Sequence, residues 1–345
     1  MSTRPPRLAA LLLALPVLVA CGEDAGTDAD PVAWPTAGAE VALDGLAWAS
    51  GDGTIHLGDG STLDAGTPLR SFVLARGGAY VVPRDGQGLR RVGPDRTADL
   101  PARPDPESLA ASPDGRYLAL IDRTGPEDQF DTPLAEAVVV DLVTGEEVLR
   151  SAEGMGDPAS DDLTDLYEEL EPAVLGVDDR HAYVLTTRDL RAVDLDTGEV
   201  EVVGDAGTDP RALPWYDALH PGLVADSPDG AWSIRAGQGG VPRLVADTGR
   251  TVTTTLTPAD VGVDPLAPSP GELSWTLDSW LDATHAAGRA VLTDPYGGPG
   301  EPILITCAVP SGACRAVPGT EDGVLLPLDR QGEGVLVPRP REGTP

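Results

Sequence analysis

Two cysteines near the end of the sequence are the residues best placed for covalent chemistry. Cys307 and Cys314 lie at the two ends of one predicted hairpin. In an exported domain such a pair favours a disulfide. A two-residue turn at Pro310-Ser311 would place the cysteines opposite each other, whereas a glycine-bulge turn would shift them by one residue. We expect the bond, acting as a structural staple rather than a redox centre.

The third cysteine, Cys21, follows an apolar run that is typical of an export signal. Two arginines precede the run, which covers residues 8–20 and is too short to span a bilayer comfortably. The sequence Leu18-Val19-Ala20-Cys21-Gly22 resembles the lipobox of bacterial lipoproteins. The resemblance implies that Cys21 carries a lipid, which holds the protein on the extracytoplasmic face of the cell membrane as its only membrane contact. A plain secretory signal with an incidental cysteine is the alternative.

No other residues form a recognisable catalytic or metal-binding set. The four histidines, at positions 56, 181, 220 and 285, show neither His-x-His nor His-Glu-x-x-His spacing. Tyr296-Gly297-Gly298-Pro299 resembles a segment of prolyl-oligopeptidase-like enzymes, but the chain contains no Gly-x-Ser-x-Gly nucleophile motif. We therefore predict no catalytic residue, no metal ligand and no cofactor, although distant residues could still converge on a central channel.

Acidic residues dominate the charge of the chain. Asp and Glu number 56 against 24 basic residues, and the formal net charge is −32. Nucleic-acid binding needs a dense positive surface, so this charge excludes it as a function class. One stretch departs from the pattern, because seven arginines between positions 70 and 103 accompany only three acidic residues. In this stretch Arg84, Arg90 and Arg91 are candidates to face an anion or a partner; a solvated strand edge is the alternative.

The elements that must position these residues are hairpins that the chain repeats. A turn of the kind Asp141-Leu-Val-Thr-Gly145 occurs four times, the last copy more distant, closing at the glycines 145, 198, 249 and 312. A second turn, Ser112-Pro113-Asp114-Gly115, returns over residues 227–230. Proline fixes φ, aspartate bonds back to the backbone, and glycine takes the left-handed conformation. Both sequences therefore predict tight hairpin turns.

Each repeat contains two hairpins, hence four strands, and has the size of one β-propeller blade, about 40 to 60 residues. The turns resemble those of WD40-like bacterial propellers of the TolB and YVTN kinds, most clearly over residues 109–317. The resemblance implies an all-β fold, a six- or seven-bladed β-propeller with four-stranded antiparallel blades, and we prefer seven. Two short strands near 323–328 and 334–337 are expected to pair with the first blade and close the ring.

These features divide the chain into four parts. We expect a signal peptide over residues 1–20 and a lipidated cysteine with a disordered acidic tether over 21–40. The propeller should cover 41–338, followed by a disordered tail over 339–345. The tether is rich in small and acidic residues, so it should provide reach rather than a packed surface.

The segment 160–170, between the predicted third and fourth blades, has the pattern of a short helix. Its apolar residues recur at helical spacing, acidic residues crowd its first turn, and Ser160 can cap it. We expect the helix to cover a strand edge or groove, with docking of a partner as the alternative. The candidate partner-facing residues are Leu163, Leu166, Tyr167 and Leu170.

A lipid anchor, a tether and the lack of a catalytic set favour a non-catalytic envelope scaffold or sensor. Such a protein would act as a monomer and bind another envelope protein or a cell-surface polymer through loops on the rigid propeller. Two alternatives stay open. One is an enzyme, such as a lyase or lactone hydrolase, whose residues converge on the channel; the other is a lipoprotein that binds a small ligand.

Overall fold

Short β-strands build almost all of the structure, a computed structural model. It describes residues 34–36, 38–86, 88–216, 226–237, 240–262, 272–294, 298–300, 302–321 and 323–328. These residues belong to one unit that begins at residue 33. The predicted signal peptide, Cys21, His220 and the C-terminal tail lie outside the described residues, as does most of the predicted tether.

The first three sheets are antiparallel and use consecutive strands. The first contains β1 (Trp48–Ala49), β2 (Thr54–His56) and β3 (Thr62–Asp64). The second contains β4 (Leu69–Ala75), β5 (Gly78–Pro83), β6 (Arg90–Val92) and β7 (Thr97–Asp99). The third contains β8 (Pro104–Ala111), β9 (Tyr117–Asp122), β10 (Glu136–Asp141) and β11 (Glu146–Ser151). Each sheet is thus a meander, as in a propeller blade.

The next three sheets repeat the arrangement after a short helix, α1 (Leu163–Glu169). The fourth contains β12 (Ala173–Val177), β13 (His181–Leu185), β14 (Asp189–Asp194) and β15 (Val200–Asp205). The fifth contains β16 (Trp232–Arg235), β17 (Arg243–Ala246) and β18 (Thr251–Thr253). The sixth contains β19 (Glu272–Trp280), β20 (His285–Asp294), β21 (Gly298–Pro299), β22 (Ile303–Ala308) and β23 (Cys314–Ala316). The all-β prediction is confirmed, with three to five strands in each described sheet.

The repeated Ser-Pro-Asp-Gly sequence forms the turn that its residues predict. The hydroxyl of Ser112 donates to Asp114 at 2.7 Å and accepts from the backbone N–H of Tyr117 at 2.9 Å. Gly115 closes the turn with a φ of 67°, in the left-handed region. The copy over residues 227–230 makes the corresponding serine–aspartate bond at 2.7 Å. The side chains therefore fix the turn locally, which explains why the same four residues recur.

Asp141 holds the other repeated turn and also takes part in an ion pair. One carboxylate oxygen accepts from the backbone N–H of Val143 at 2.8 Å, and the other accepts from Arg116 at 2.7 Å. Burial raises the pKa of Asp141, but the hydrogen bonds from Arg116 and Val143 outweigh burial and hold the pKa below its ordinary value. The carboxylate is therefore charged at neutral pH and ties β9 to the end of β10.

Apolar side chains from neighbouring sheets pack into shared cores. Such cores join the first and second, the second and third, the third and fourth, and the fifth and sixth sheets. A further core joins the first sheet to the sixth, since Trp48 packs with Ala287 and Leu304. Burial of these faces is the main stabilising term of the fold. This packing, sheet against successive sheet, fits a β-propeller.

The C-terminal segment pairs with the first sheet at one residue. The backbone N–H of Ala49 donates to the carbonyl of Leu325 at 2.8 Å, and the reverse bond is 3.0 Å long. The neighbours Val324 and Leu326 pack into the core around Trp48. The expected pairing of residues 323–328 with the first sheet is present at Leu325, whereas the other expected strand, at 334–337, lies outside the described residues.

Cys307 and Cys314 form the expected disulfide. They lie directly opposite each other in the register of β22 and β23, with Cα atoms 4.0 Å apart. The turn between them closes at Gly312, whose N–H donates to the carbonyl of Ala308 and whose φ is 73°. The two cysteines therefore share one face of the hairpin, and the one-residue shift considered above does not occur.

Trp34 corrects the prediction of a disordered tether up to residue 40. Its side chain is 3% exposed and belongs to the core that contains Val140. Its indole N–H donates to Glu147 at 2.8 Å, and Glu147 is paired with Arg150 at 2.9 Å. Burial raises the pKa of Glu147, but the bonds from Arg150 and Trp34 outweigh burial and hold the pKa below its ordinary value. The tether prediction is wrong at this point because a single tryptophan among small residues provides enough apolar area to dock.

Substitution of Trp34 tests this docking. Trp34→Ala should lower the free energy of unfolding by about 3 kcal/mol, since it removes a buried aromatic side chain. Trp34→Phe, which loses only the hydrogen bond to Glu147 and part of the ring, should cost about 1 kcal/mol. Urea denaturation of both variants measures the difference. Equal stability of Trp34→Ala and the unsubstituted protein would contradict the burial of this residue.

Candidate binding cleft

Helix α1 interrupts the run of sheets between the third and the fourth, where the sequence predicts a helix. The carboxylate of Asp162 caps it by accepting from the backbone N–H groups of Thr164 and Asp165, at 3.1 and 3.2 Å. The predicted cap was Ser160, but the hydroxyl of that residue bonds to a carboxylate of the preceding turn instead. The helix prediction is confirmed, and its N-cap lies two residues later than expected.

The apolar face of α1 packs on the core that joins the third and fourth sheets. Leu163 is fully buried in that core, and Leu166 and Tyr167 pack against it. The prediction that Leu163 faces a partner is therefore wrong, because the apolar stripe of a short surface helix points toward the core. Leu166, Tyr167 and Leu170 are each half-buried, and their role toward a partner stays a prediction.

Tyr167 fastens the helix to the strands beneath it. Its hydroxyl donates to the carbonyl of Met155 at 2.8 Å and accepts from the backbone N–H of Ala135 at 3.0 Å. The guanidinium of Arg123 lies over its ring, 4.4 Å from the centroid. Burial raises the pKa of Tyr167, so the hydroxyl keeps its proton and remains a donor at neutral pH.

A long connection between β9 and β10, residues 123–135, lies beside the helix. Asp128 near its centre is buried, and one carboxylate oxygen accepts from the backbone N–H groups of Phe130 and Thr132. The other oxygen accepts from the backbone N–H of Leu163 at 2.8 Å, in the first turn of α1. Burial raises the pKa of Asp128, but these three bonds outweigh burial and hold the pKa below its ordinary value. Asp128 thus fixes the connection and joins it to the helix.

An open cleft of about 790 Å³ lies between this connection, helix α1 and the second and third sheets. Its volume is within the range of ligand sites, roughly 300 to 1,000 Å³. Eight of its sixteen lining residues carry charge. Most ligand pockets for small molecules are lined mainly by apolar and aromatic side chains, so the lining of this cleft is unusually polar.

One ion pair within the lining is satisfied internally. Arg123 contacts a single carboxylate oxygen of Asp105 through Nε at 2.9 Å and through Nη2 at 2.8 Å. The side chain of Arg103 donates to the backbone carbonyl of Arg123. These contacts, together with the ring of Tyr167, hold Arg123 in place within the lining. Arg103 keeps its positive charge in the lining without a carboxylate partner among the described residues.

The remaining charged groups of the lining are separated by sign. The second sheet contributes Arg70, which is exposed. The connection contributes Glu127 and Asp131, and the helix with the residue pair after it contributes Glu168 and Glu171. Within the described ranges, none of these five side chains has an ion-pair partner. The cleft therefore has a basic side on the second sheet and an acidic side on the connection and helix.

Arg91 corrects the prediction of an arginine surface. Its side chain is fully buried and donates to the backbone carbonyls of Gly77 at 3.0 Å and Thr36 at 3.3 Å. Its guanidinium also contacts Asp95 at 3.3 Å. The prediction that Arg91 faces a partner is wrong, because its buried guanidinium bonds to groups of this chain. A buried charge needs such hydrogen-bond and ion-pair contacts.

The two other candidate arginines, Arg84 and Arg90, differ in their surroundings. Arg90 is half-buried and paired with Asp99 at 2.7 Å, across β6 and β7. Arg84 is exposed and lies in sequence between two residues that line the cleft, Val82 at the end of β5 and Gly86 in the turn after it. A partner-facing role of Arg84 stays a prediction that the position of the cleft makes more specific.

The cleft brings together two regions that the sequence marks separately. Tyr167 comes from the predicted helix, and Arg70 and Arg103 are the two ends of the arginine stretch. Sequence reasoning missed Arg123 and the connection 123–135. The available signal was length, since a connection of more than about 12 residues between two strands is uncommon and often functional.

The described residues contain neither a membrane-spanning helix nor a metal-binding cluster. No helix within the described ranges is long and apolar enough to cross a membrane. No group of three or more His, Cys, Asp or Glu side chains in that part of the chain is arranged to hold a metal ion.

Asp128→Ala tests the framework of the cleft. The substitution leaves three backbone N–H groups without their acceptor, so hydrogen exchange over residues 128–132 and 163–166 should become at least about tenfold faster. Glu169→Ala is the matched control, since Glu169 is exposed on α1 and has no described partner. It should leave exchange in both segments unchanged. Equal exchange in the two variants would contradict the role of Asp128.

Low pH should speed hydrogen exchange in the same two segments as Asp128→Ala does. The pKa of Asp128 is lower in the folded protein than its ordinary value of 3.8. The stabilisation that the ionised carboxylate provides is therefore complete above pH 3.8 and is lost as the pH falls through the folded pKa. Protection of both segments, corrected for intrinsic exchange, should therefore fall below pH 3.8 in the unsubstituted protein. It should change much less in Asp128→Ala, which has no carboxylate to protonate.

Comparisons with known proteins give no family. No protein-family model and no curated protein matches the chain. Solved structures that it resembles include TolB from Acinetobacter baumannii, at 11% identity and a TM-score of 0.32, over 82% of this chain and 65% of that one. A puromycin-hydrolyzing peptidase of Mycobacterium tuberculosis matches at 16% identity and a TM-score of 0.31, over 79% and 42%.

A third similar structure is the extracellular domain of a hybrid two-component system from B. thetaiotaomicron, at 11% identity and a TM-score of 0.25, over 80% of this chain and 33% of that one. The chain thus spans 65% or less of the length of these three proteins.

Proposed function

We propose that this protein is a lipid-anchored, extracytoplasmic β-propeller that serves as a non-catalytic scaffold or sensor and binds another envelope protein through the cleft. The observation that carries the proposal is the cleft itself, which is open, preformed by Asp128 and Tyr167, and lined by charged groups without partners. Rigid frames that position charged loops in this way are typical of binding surfaces.

Six blades fit the observed packing better than the seven that the sequence favoured. The six-bladed arrangement is supported by the core around Trp48, which the first and sixth sheets share. The segment 206–231 separates the fourth sheet from the fifth and is shorter than the about 40 residues that a blade requires. The bridge between Ala49 and Leu325 supports closure of the propeller through its C-terminal segment.

The proposed location outside the cytoplasm is supported by the disulfide. Cys307 and Cys314 are bonded, and such bonds persist mainly in oxidising compartments. The export signal and the lipobox around Cys21 lead to the same compartment from the sequence. The lipid anchor is proposed from that resemblance alone.

The lining of the cleft favours binding over catalysis. A nucleophile needs an adjacent general base, and among the described contacts no carboxylate of the lining accepts a hydrogen bond from a lining hydroxyl. Its one arginine–carboxylate pair, Arg123 with Asp105, is saturated by its own contacts. The high share of charged groups favours a polar macromolecular partner over a small apolar ligand.

Site-directed photo-cross-linking in intact cells tests the proposed function. A photoreactive amino acid replaces Thr164 or Glu171, which line the cleft, or Val202, which is 57% exposed on β15 and serves as the control. One dominant envelope protein should be captured from the two cleft positions and not from Val202. Capture of no protein above background at either cleft position would contradict a scaffold that works through this surface.

A further inference from the structure

The lining of the cleft contains more negative than positive charges that lack an ion-pair partner among the described residues. Four carboxylates, those of Glu127, Asp131, Glu168 and Glu171, lie on one side and lack ion-pair partners among the described residues. Arg70 on the second sheet and Arg103 in the link between β7 and β8 provide two positive charges. Because Asp105 and Arg123 neutralise each other, the cleft carries an excess of two negative charges.

A cleft concentrates the field of such charges. Low-dielectric walls focus field lines and raise the local concentration of oppositely charged ligands. A cation that enters this cleft meets a lining with four carboxylates that have no described ion-pair partner, whereas an anion meets two such arginines. The excess therefore selects against an anionic polymer and in favour of a ligand with at least one positive group.

Apolar surface next to the acidic side adds a second kind of contact. The lining contains three prolines, and Phe130, which is 56% exposed, neighbours Asp131 on the same connection. Phe130 does not itself line the cleft, but aromatic side chains are enriched in protein interfaces. A ligand that combines charge with apolar side chains would use both features.

We propose that the occupant of the cleft is an extended polypeptide segment that presents lysine or arginine to the four carboxylates and an acidic group to Arg70 and Arg103. This inference rests on the proposed function and names the chemistry of the partner. The segment would lie with its basic residues toward helix α1 and its acidic group toward the second sheet. Phe130 would contact an apolar side chain of the segment.

A fluorescently labelled peptide, Lys-Lys-Ala-Ala-Asp-Asp, is the probe, and its binding to the full chain purified in detergent is followed by fluorescence polarisation. The chain has a net charge of −32, so any cationic peptide is attracted to it without specificity. The test must therefore compare variants that remove the same charge at different places.

Glu168→Gln/Glu171→Gln removes two charges from the cleft. The matched control, Glu169→Gln/Glu199→Gln, removes two charges from exposed residues that do not line it. The cleft variant should weaken binding of the peptide at least about tenfold, because two of the four carboxylates that face the cation are lost. The control should change the dissociation constant less than about twofold.

A second substitution tests the contribution of Arg70 separately from that of the carboxylates. Arg70→Gln should weaken binding of the mixed-charge peptide and leave binding of Lys-Lys-Ala-Ala-Asn-Asn unchanged, since only the former has a group for Arg70. Arg96→Gln, exposed and outside the lining, should affect neither peptide. Circular dichroism confirms that each variant keeps its fold.

Equal weakening in the cleft variant and its control would overturn the inference, because attraction would then come from the overall charge. Tighter binding of a short polyphosphate than of the peptide would also overturn it. These outcomes are distinct from failure of the proposed function. A partner that is captured from the cleft but lacks a basic segment at the cross-link would contradict this inference alone.

Discussion

The structure depends on apolar faces that no sheet can bury by itself. Each described sheet has only three to five strands, and successive sheets share apolar cores from the first to the fourth and from the fifth to the sixth. Stability therefore comes from stacking one sheet on the next, and the core between the first and sixth sheets extends this stacking to both ends of the series. The set of sheets is rigid because each sheet packs closely against another. The polar connections between strands can therefore vary in sequence without destabilising the sheets.

The cleft is a consequence of one such connection. The segment 123–135 is long enough to leave the sheet and to contact helix α1, and Asp128 converts that contact into a fixed geometry by accepting three backbone hydrogen bonds. Tyr167 completes the framework from the helix side. The charged lining is thus held in place by the buried carboxylate of Asp128 and by Tyr167, which is itself part of the lining.

The repeated turns, the disulfide and the helix could be predicted from the sequence because each depends on residues close together in the chain. Ser112 and Asp114 define their turn through their own side chains, wherever the turn lies in the fold. Arg91 could not be assigned in this way. Its burial depends on the carbonyl of Thr36, which is 55 residues away in sequence. The docking of Trp34 against Glu147 is likewise a long-range contact that no local pattern reports.

The blade count shows the same limit. The sequence marks strands well but does not report that the first and sixth sheets share the core around Trp48. The same holds for the cleft, whose basic and acidic sides come from elements that are separate in the chain. Local sequence therefore predicts the turns, strands and helix of this protein, and long-range packing determines the contacts between them.

The central claim is that the cleft is a fixed surface held in place before any partner binds. Pulsed electron paramagnetic resonance between spin labels at Arg84 and Glu169 measures its width, since both residues are exposed beside the cleft and neither lines it. The account predicts one narrow distribution of distances for the protein alone, in solution. A broad or bimodal distribution would mean that the cleft has no defined width in the free protein, and would contradict the account.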